Sequence, residues 1–586
     1  MTISTTATKE SKLLLDGKQT TVAKGIVEVL READVDLVFG IPGGNMVHSI
    51  YPALDEFGDG IRVVLVREES LAGVMAEVYG RLTGRPGVVI AQGAWVMAHA
   101  GIGTLEANAS SSPMLLLGDL TEAGPNSHHG PFQSGSGDYG SWDARQSLSG
   151  VTKATMVPTS GAQAIQLTQL AVKHAISGEP GPVAVLYPEQ VLEATFDPTV
   201  APRTYRTQFS LHEDRRGAAE ERIEHAVEQL RAAEHPLIIA GSGVRASRAY
   251  DELEEVAELL GAPVATTVGG KSAIPETHEL SVGVFGPFGQ EVANAMVAEA
   301  DVILVVGSKL GFNDTAAENP ALIDPDRQQL IQVDIEPRNA GWTMPVSCAL
   351  IGDAKTTLAR MAEFIRADGS VEQRERRIAQ VSVARAEHGF FEDPKYQADS
   401  APVLPQRLIR EVQLAVDDDA LICCDAGENR IFMAHHFQAK SRGTFVQAAG
   451  MGPMGYAIPA ALAAKLIYPK REAVAVCGDG GFAMTMNGLM TAREQEIPIV
   501  VVVMNNSALG WVKHEQVEMS REIACDFAAT DHAEIARSLG CMGWRVERPQ
   551  DLPAALAEAL SSGRPGVVDV VTTLDESYRS VVAEIV

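Results

Sequence analysis

Positive charge is scarce in this chain. Against 76 Asp and Glu stand 48 Lys and Arg, a formal net charge of -28, and so acidic a surface is repelled by nucleic-acid phosphates and anionic lipid. Neither nucleic acid nor membrane is therefore expected as a partner. Long apolar runs are missing too. None approaches the roughly 20 residues that cross a bilayer, and residues 1–18 are polar, without the apolar core of a signal peptide. Cysteine is sparse: Cys348, Cys423, Cys424, Cys477, Cys525 and Cys541 form no CxxC pair. Set mostly in apolar strand-like contexts, they read as buried free thiols rather than disulfides or zinc ligands. A cytoplasmic location is the expectation. No fixed-period repeat or low-complexity tract is found.

What is present is 586 residues, enough for three or four domains at roughly 150 residues each. Apolar strand-like runs alternate with amphipathic stretches throughout, which predicts an α/β fold of three doubly wound parallel-sheet domains. After a flexible tail over 1–19, a first domain is expected over 20–190, with strands near Leu37–Phe39, Val63–Val66, Gly87–Ala91, Met114–Leu117 and Val183–Leu186. Glu193–Leu211, polar and proline-bearing, reads as a linker. A second domain over 212–370 has strands near Leu237–Ala240, Val302–Val306 and Leu330–Val333. A charged helix, Glu372–Glu387, and a loop to Pro405 lead into a third domain over 400–572, followed by a tail over 573–586.

The most informative stretch is Gly478–Gly510. One apolar strand, Ala473–Cys477, runs into Gly478-Asp479-Gly480-Gly481, and a second, Ile497–Met504, runs into Asn505-Asn506. Gly, Asp and Asn are ordinary turn formers. Yet Asp479 and Asn506 lie 27 positions apart with one strand-helix-strand unit between them, which puts both at the carboxyl edge of a parallel sheet, where ligands bind. A carboxylate and an amide oxygen are hard ligands suited to Mg2+. Gly480 and Gly481 let backbone N–H groups approach a phosphate, and the following helix offers its positive end.

This segment resembles the GDG-then-NN signature of thiamine diphosphate enzymes. By that resemblance Asp479, the side chain of Asn506 and the backbone carbonyl of Ala508 hold the metal. Val66-Arg67-Glu68-Glu69-Ser70, followed by a helix rich in small residues, resembles the family's RHEQ-then-AxGYAR pattern and matches Glu69 to its catalytic glutamate. At the pyrimidine N1′ such a carboxylate drives the 4′-amino group toward its imino form, whose nitrogen can take the thiazolium C2 proton. Taken alone, Glu68 and Glu69 also suit a charged first helical turn. Phe39-Gly40-Ile41-Pro42-Gly43-Gly44 resembles the FGxPGG turn, which makes Pro42 and Gly43 cofactor contacts. Gly450 to Gly455 resembles GxGxMG, in which Met454 props the bent cofactor and the Gly452 carbonyl receives the 4′-amino group. Asp425-Ala426-Gly427-Glu428-Asn429 stands where relatives carry diphosphate contacts such as GQHQ. The acidic Glu428 departs from that pattern, and only Asn429 and nearby amides carry over.

The resemblance covers roughly Thr20–Val571, in the order pyrimidine-binding, central nucleotide-like and diphosphate-binding domains. It points to the acetolactate synthase, oxalyl-CoA decarboxylase and 2-hydroxyacyl-CoA lyase branch. There the glutamate and the metal clamp come from different subunits, implying a homodimer at minimum and a homotetramer as a dimer of dimers. In the central block Gly241-Ser242-Gly243 follows a strand, and Asp334 ends another, placed to accept a ribose hydroxyl. Empty structural use of that turn is the alternative. Where flavin-bearing synthases read GxRFDDR, this chain has Gly307-Ser308-Lys309-Leu310-Gly311-Phe312. The missing arginine argues against FAD and leaves ADP or the nucleotide of a CoA substrate open.

Glu515 stands where synthases place a tryptophan wall, Gly93-Ala94-Trp95-Val96 replaces their SGPG loop, and His99 stands where hydroxyacyl-CoA lyases often carry histidine. Gln133, in a loop resembling AFQ after His128-His129-Gly130, is a candidate polar pocket residue. A solvated helix face for Glu515 and a core histidine for His99 are the structural alternatives. These features motivate a 2-hydroxyacyl-CoA lyase-like reading: an acyl-CoA substrate is cleaved to formyl-CoA and an aldehyde or ketone, with Glu515 sharing the proton transfer. The second reading is a decarboxylase or carboligase of free 2-oxo acids of acetolactate synthase type, and the third a noncatalytic regulatory subunit.

Overall fold

The computed structural model describes residues 11–57, 60–120, 133, 135–137, 141–211, 215–366, 371–583 and 585. Contacts gather into two compact units, residues 1–214 and 215–586.

The first unit holds β1 (Thr20–Thr21), β2 (Leu37–Gly40), β3 (Arg62–Leu65), β4 (Gly87–Ala91), β5 (Met114–Leu120), β6 (Ala154–Met156), β7 (Pro182–Pro188) and β8 (Thr195–Phe196). Six of these form a parallel sheet in the order β3-β2-β4-β5-β7-β6. The remaining two, β1 and β8, pair antiparallel.

The second unit carries two sheets. β9 (Pro236–Ala240), β10 (Val264–Thr266), β11 (Ser281–Val284), β12 (Val302–Val306), β13 (Gln329–Asp334) and β14 (Cys348–Ile351) run parallel in the order β11-β10-β9-β12-β13-β14. β15 (Leu421–Cys424), β16 (Phe445–Gln447), β17 (Ala473–Gly478), β18 (Val500–Asn505), β19 (Met542–Val546) and β20 (Gly566–Val571) run parallel in the order β16-β15-β17-β18-β20-β19. The first and third sheets thus share one topology, with strand order reversing beside the first strand of the block (β2 against β4, β15 against β17). The middle sheet has the 3-2-1-4-5-6 order of a dinucleotide-binding fold. Central strands such as β18, VVVVMN, are buried along their whole length, because helices cover both faces and no polar alternation is needed. A buried ion pair, Lys271 Nζ to Glu276 Oε1 at 2.6 Å, helps fasten the middle sheet to the third, since Glu276 Oε2 also accepts the Ala439 N–H at 2.6 Å.

Four boundaries differ from expectation. Residues 11–19, expected as tail, are tied down: Leu14 is fully buried and its N–H donates to Thr204 O at 3.1 Å. The expected linker contributes β8. The strand expected from Ile497 begins at Val500, as Pro498 has no N–H for the ladder. The expected C-terminal tail is also packed, with Tyr578 buried and Ala583 N–H donating to Pro287 O at 2.9 Å. All six cysteines are free and buried. No helix among the described residues is long and apolar enough to cross a membrane.

Candidate active site

The order reversal between β15 and β17 opens the carboxyl edge of the third sheet, where ligands of such folds bind. A cavity of about 340 Å³ lies there, lined among others by Gly427, Asn429, Met454, Asp479, Asn506 and Thr573. Asp479 begins the helix that follows β17. Its Oδ1 accepts the Gly480 N–H at 2.8 Å, while Oδ2 is buried without a hydrogen-bond partner. Burial raises this carboxyl to about 6, opposed by the N–H groups of Gly480, Ser507 and Ala508. Asn506 follows β18, and its Oδ1 accepts the Ala508 N–H at 3.1 Å. Ser507 between them is left-handed at φ 57°, so the chain doubles back over Asp479. An orphaned buried carboxylate oxygen in a cavity that Asn506 also lines fits a hard, oxygen-seeking cation.

The glycines here are fixed by neighbours. A Cβ on Gly480 would stand 2.9 Å from Met454 Cε, and one on Gly481 would stand 3.0 Å from the Asp425 carboxyl carbon. Gly452, at φ 63°, would place a Cβ 2.8 Å from Arg430 Nη1. Asp425, which sequence reasoning passed over, does not line the cavity but braces the loops around it. Fully buried at the end of β15, it accepts N–H bonds from Ala426, Gly455 and Ala457 at 2.8, 2.9 and 3.1 Å, which holds the Met454 loop against the strand crest. Burial raises its carboxyl to about 6. Asn429 donates to Asp425 O at 3.0 Å.

Glu515 does not line the cavity. It accepts from the Tyr578 hydroxyl and pairs with Arg579 at 3.2 Å. The C-terminal segment was also missed: Thr572, Thr573 and Glu576 form cavity wall, and the Tyr578 ring stacks on Trp511 with centroids 4.5 Å apart. Glu576 accepts from Lys395 Nζ at 2.8 Å.

In the first unit Glu69 opens the helix Glu69–Thr83 and is buried, with Glu68 as N-cap accepting the Ser70 N–H at 2.8 Å. His99 Nδ1 lies 2.7 Å from Glu68 Oε1 and 3.6 Å from Glu69 Oε2. Burial pushes the Glu68 carboxyl up, opposed by the Ser70 N–H and His99. Tyr51, whose hydroxyl donates to Ile90 O at 2.8 Å, has its pKa raised by burial and by the nearby Glu69 carboxylate. Pro42 and Gly43 follow β2 at the order reversal, and Asp119 joins the two crest loops by accepting the Asn45 N–H at 2.6 Å and the Gly93 N–H at 3.0 Å. Gln133 accepts from Gln92 Nε2 at 2.7 Å. His128, His129, Gly130 and Phe132 lie outside the described residues.

At the middle sheet the glycine turn is occupied by the fold itself. Gly241 N–H donates to Val306 O and Gly243 N–H to Gly307 O, both at 2.9 Å. Asp334 Oδ1 accepts the Glu336 N–H at 2.9 Å and Asn339 Nδ2 at 3.2 Å.

Parallel sheets with an acid and an amide at one strand crest suit a ligand-binding enzyme fold, and the sequence comparisons say to which family the chain belongs. Residues 20–138 match the family described as thiamine pyrophosphate enzyme, N-terminal TPP binding domain. Residues 223–361 match its central domain and residues 425–570 its C-terminal TPP binding domain. The acetolactate synthase large subunit of Corynebacterium glutamicum is 31% identical, over 95% of this chain and 87% of its own length. The probable acetolactate synthase large subunit of Methanococcus aeolicus is 29% identical over 93% and 91%. The putative thiamine pyrophosphate-containing protein YdaP of Bacillus subtilis is 28% identical over 94% and 91%. The chain belongs to the thiamine pyrophosphate-dependent enzymes, in the acetolactate synthase branch.

Proposed function

We propose that the protein uses thiamine diphosphate and Mg2+ to decarboxylate a 2-oxo acid and join the remaining fragment to a second carbonyl compound, in the manner of an acetolactate synthase. The cofactor site rests on one observation above all: the unpartnered Asp479 Oδ2 in a cavity at the carboxyl edge of the third sheet. Asp479, Asn506 and the Ala508 carbonyl would hold Mg2+, leaving its remaining positions for diphosphate oxygens. When bound, the cofactor supplies an electron sink for the carbon-carbon bond being broken. Glu69 would hold a proton at the pyrimidine nitrogen, the Gly452 carbonyl would receive the amino group, and Met454 would support the bent cofactor. His99 and Gln133 are the polar groups offered to substrate.

The 2-oxo acid class is supported by the relatives named above. It displaces the acyl-CoA lyase reading expected from the sequence, because Glu515, which motivated that reading, is engaged with Tyr578 and Arg579 away from the cavity wall. The lyase stays as a second reading on one observation, His99 at 3.6 Å from Glu69. For the middle sheet a structural use is proposed, since the amides of Gly241 and Gly243 are spent within the fold and FAD or ADP phosphates would find neither free. A dimer at minimum, and a dimer of dimers, follows from the family resemblance. Six free thiols support a cytoplasmic setting.

The test is product analysis by mass spectrometry with two substrate panels. Carbon dioxide and a 2-hydroxy-2-methyl-3-oxo acid from pyruvate are expected. Formyl-CoA from 2-hydroxyacyl-CoA esters, with inertness toward every 2-oxo acid, would reinstate the lyase.

A further inference from the structure

Among the described residues, the charged ones lining the cavity of the third sheet are three carboxylates, Glu428, Asp479 and Glu576, and one guanidinium, Arg430. A diphosphate is repelled by each lining carboxylate whose charge is not offset nearby. Asp479 faces the cation site, and Glu576 is matched by Lys395, whose Nζ donates to both of its oxygens at 2.8 Å. Glu428 has His514. The ring Nδ1 stands 2.5 Å from Glu428 Oε1, and the other ring nitrogen, Nε2, stands 2.9 Å from the carbonyl oxygen of Leu574. A carbonyl only accepts, so Nε2 carries a proton. The 2.5 Å contact then requires one further proton, carried by Nδ1 or by the carboxyl, and the pair is net neutral in either arrangement. Glu428 Oε1 also takes the Tyr578 N–H at 3.0 Å. Glu428 is buried, so without His514 its charge would be poorly screened toward the cavity.

We propose that His514 is the charge-compensating residue of the diphosphate site: by neutralising Glu428 it permits a polyanion to bind beside that carboxylate. His514 does not line the cavity and acts through Glu428, as a positioning residue. This rests on the cofactor-site reading above. A merely structural role, anchoring Leu574 of the C-terminal segment, predicts something different, because that contact is lost with the ring whatever occupies position 428.

The experiment is calorimetric titration of thiamine diphosphate with Mg2+ into the full chain and into H514N, E428Q and E428Q/H514N. H514N should weaken binding by about tenfold or more, the scale of one partly screened buried charge. The same change made on E428Q should cost less than about threefold, since no charge is left to compensate. Equal losses in both backgrounds would overturn the proposal and leave His514 as an anchor. H514Q, which keeps a neutral donor, should behave as H514N and reports in its place if H514N does not fold; wild-type affinity in H514Q would overturn the role of charge. Absence of binding by the unmodified chain would instead remove the cofactor site itself, and the proposal with it.

Discussion

Replacing Asp479 by Asn should stabilise the cofactor-free protein while removing its metal site. The carboxyl is held at about 6 in the folded chain by burial, against an ordinary 3.8. A group whose folded value is raised favours folding while protonated; that advantage is complete below pH 3.8 and is lost as pH rises through 6. The displacement corresponds to about 3 kcal/mol, so at pH 8 the ionised side chain costs the folded state about that much. Asn removes the charge at nearly the same volume and keeps an acceptor for the Gly480 N–H. Its amide, placed where Oδ2 has no partner, gives back about 1–2 kcal/mol. A net gain of about 1–2 kcal/mol remains at pH 8, a rise of about 2–8 °C on the scale of mid-sized domains. Near pH 4 the advantage should vanish, because wild-type Asp479 is then protonated. Scanning calorimetry of both proteins at the two pH values, without and then with thiamine diphosphate and Mg2+, reads this out. With ligands the order should reverse, since only the wild type binds them. A D479N protein less stable than wild type at pH 8 without ligands would refute the claim that this carboxylate is held at a cost for a cation.

Other changes separate chemistry from architecture. Glu69→Gln keeps shape and loses charge, and should abolish turnover while thiamine diphosphate affinity stays within about threefold, as followed by tryptophan fluorescence. Gly243→Ala puts a Cβ 2.5 Å from Gly307 Cα; a clash with backbone should cost about 3 kcal/mol, seen as a lower unfolding midpoint that FAD or ADP does not restore. Tyr578→Ala removes the stack on Trp511 and the bond to Glu515, and should destabilise the unit by about 3 kcal/mol in urea unfolding.

Much of this architecture could be read from residue order. Two strands, Gly87–Ala91 and Val302–Val306, fall where continuous apolar runs place them, because a strand covered on both faces must be apolar throughout. Short strands such as Ala154–Met156 and Phe445–Gln447 left no such run and were not anticipated. The placement of Asp479 and Asn506 at one sheet crest was legible because a single crossover between them permits few arrangements. The surroundings of Glu515 were not: the helix Gly510–Glu518 has no fully buried residue, so its pattern does not say which face turns inward. The C-terminal segment was illegible for a similar reason. Its polar run, Asp575-Glu576-Ser577, carries no periodicity, and its place over Trp511 is decided by contacts distant in sequence.

The central claim is that the third sheet grips a diphosphate through a metal held by Asp479 and Asn506. Equilibrium titration of the protein with thiamine diphosphate and with thiamine, each with Mg2+ and with excess chelator, tests it most directly. Binding of thiamine diphosphate only when Mg2+ is present, with thiamine weak in both conditions, is the predicted result. Equal affinity for the two ligands, indifferent to the metal, would contradict it.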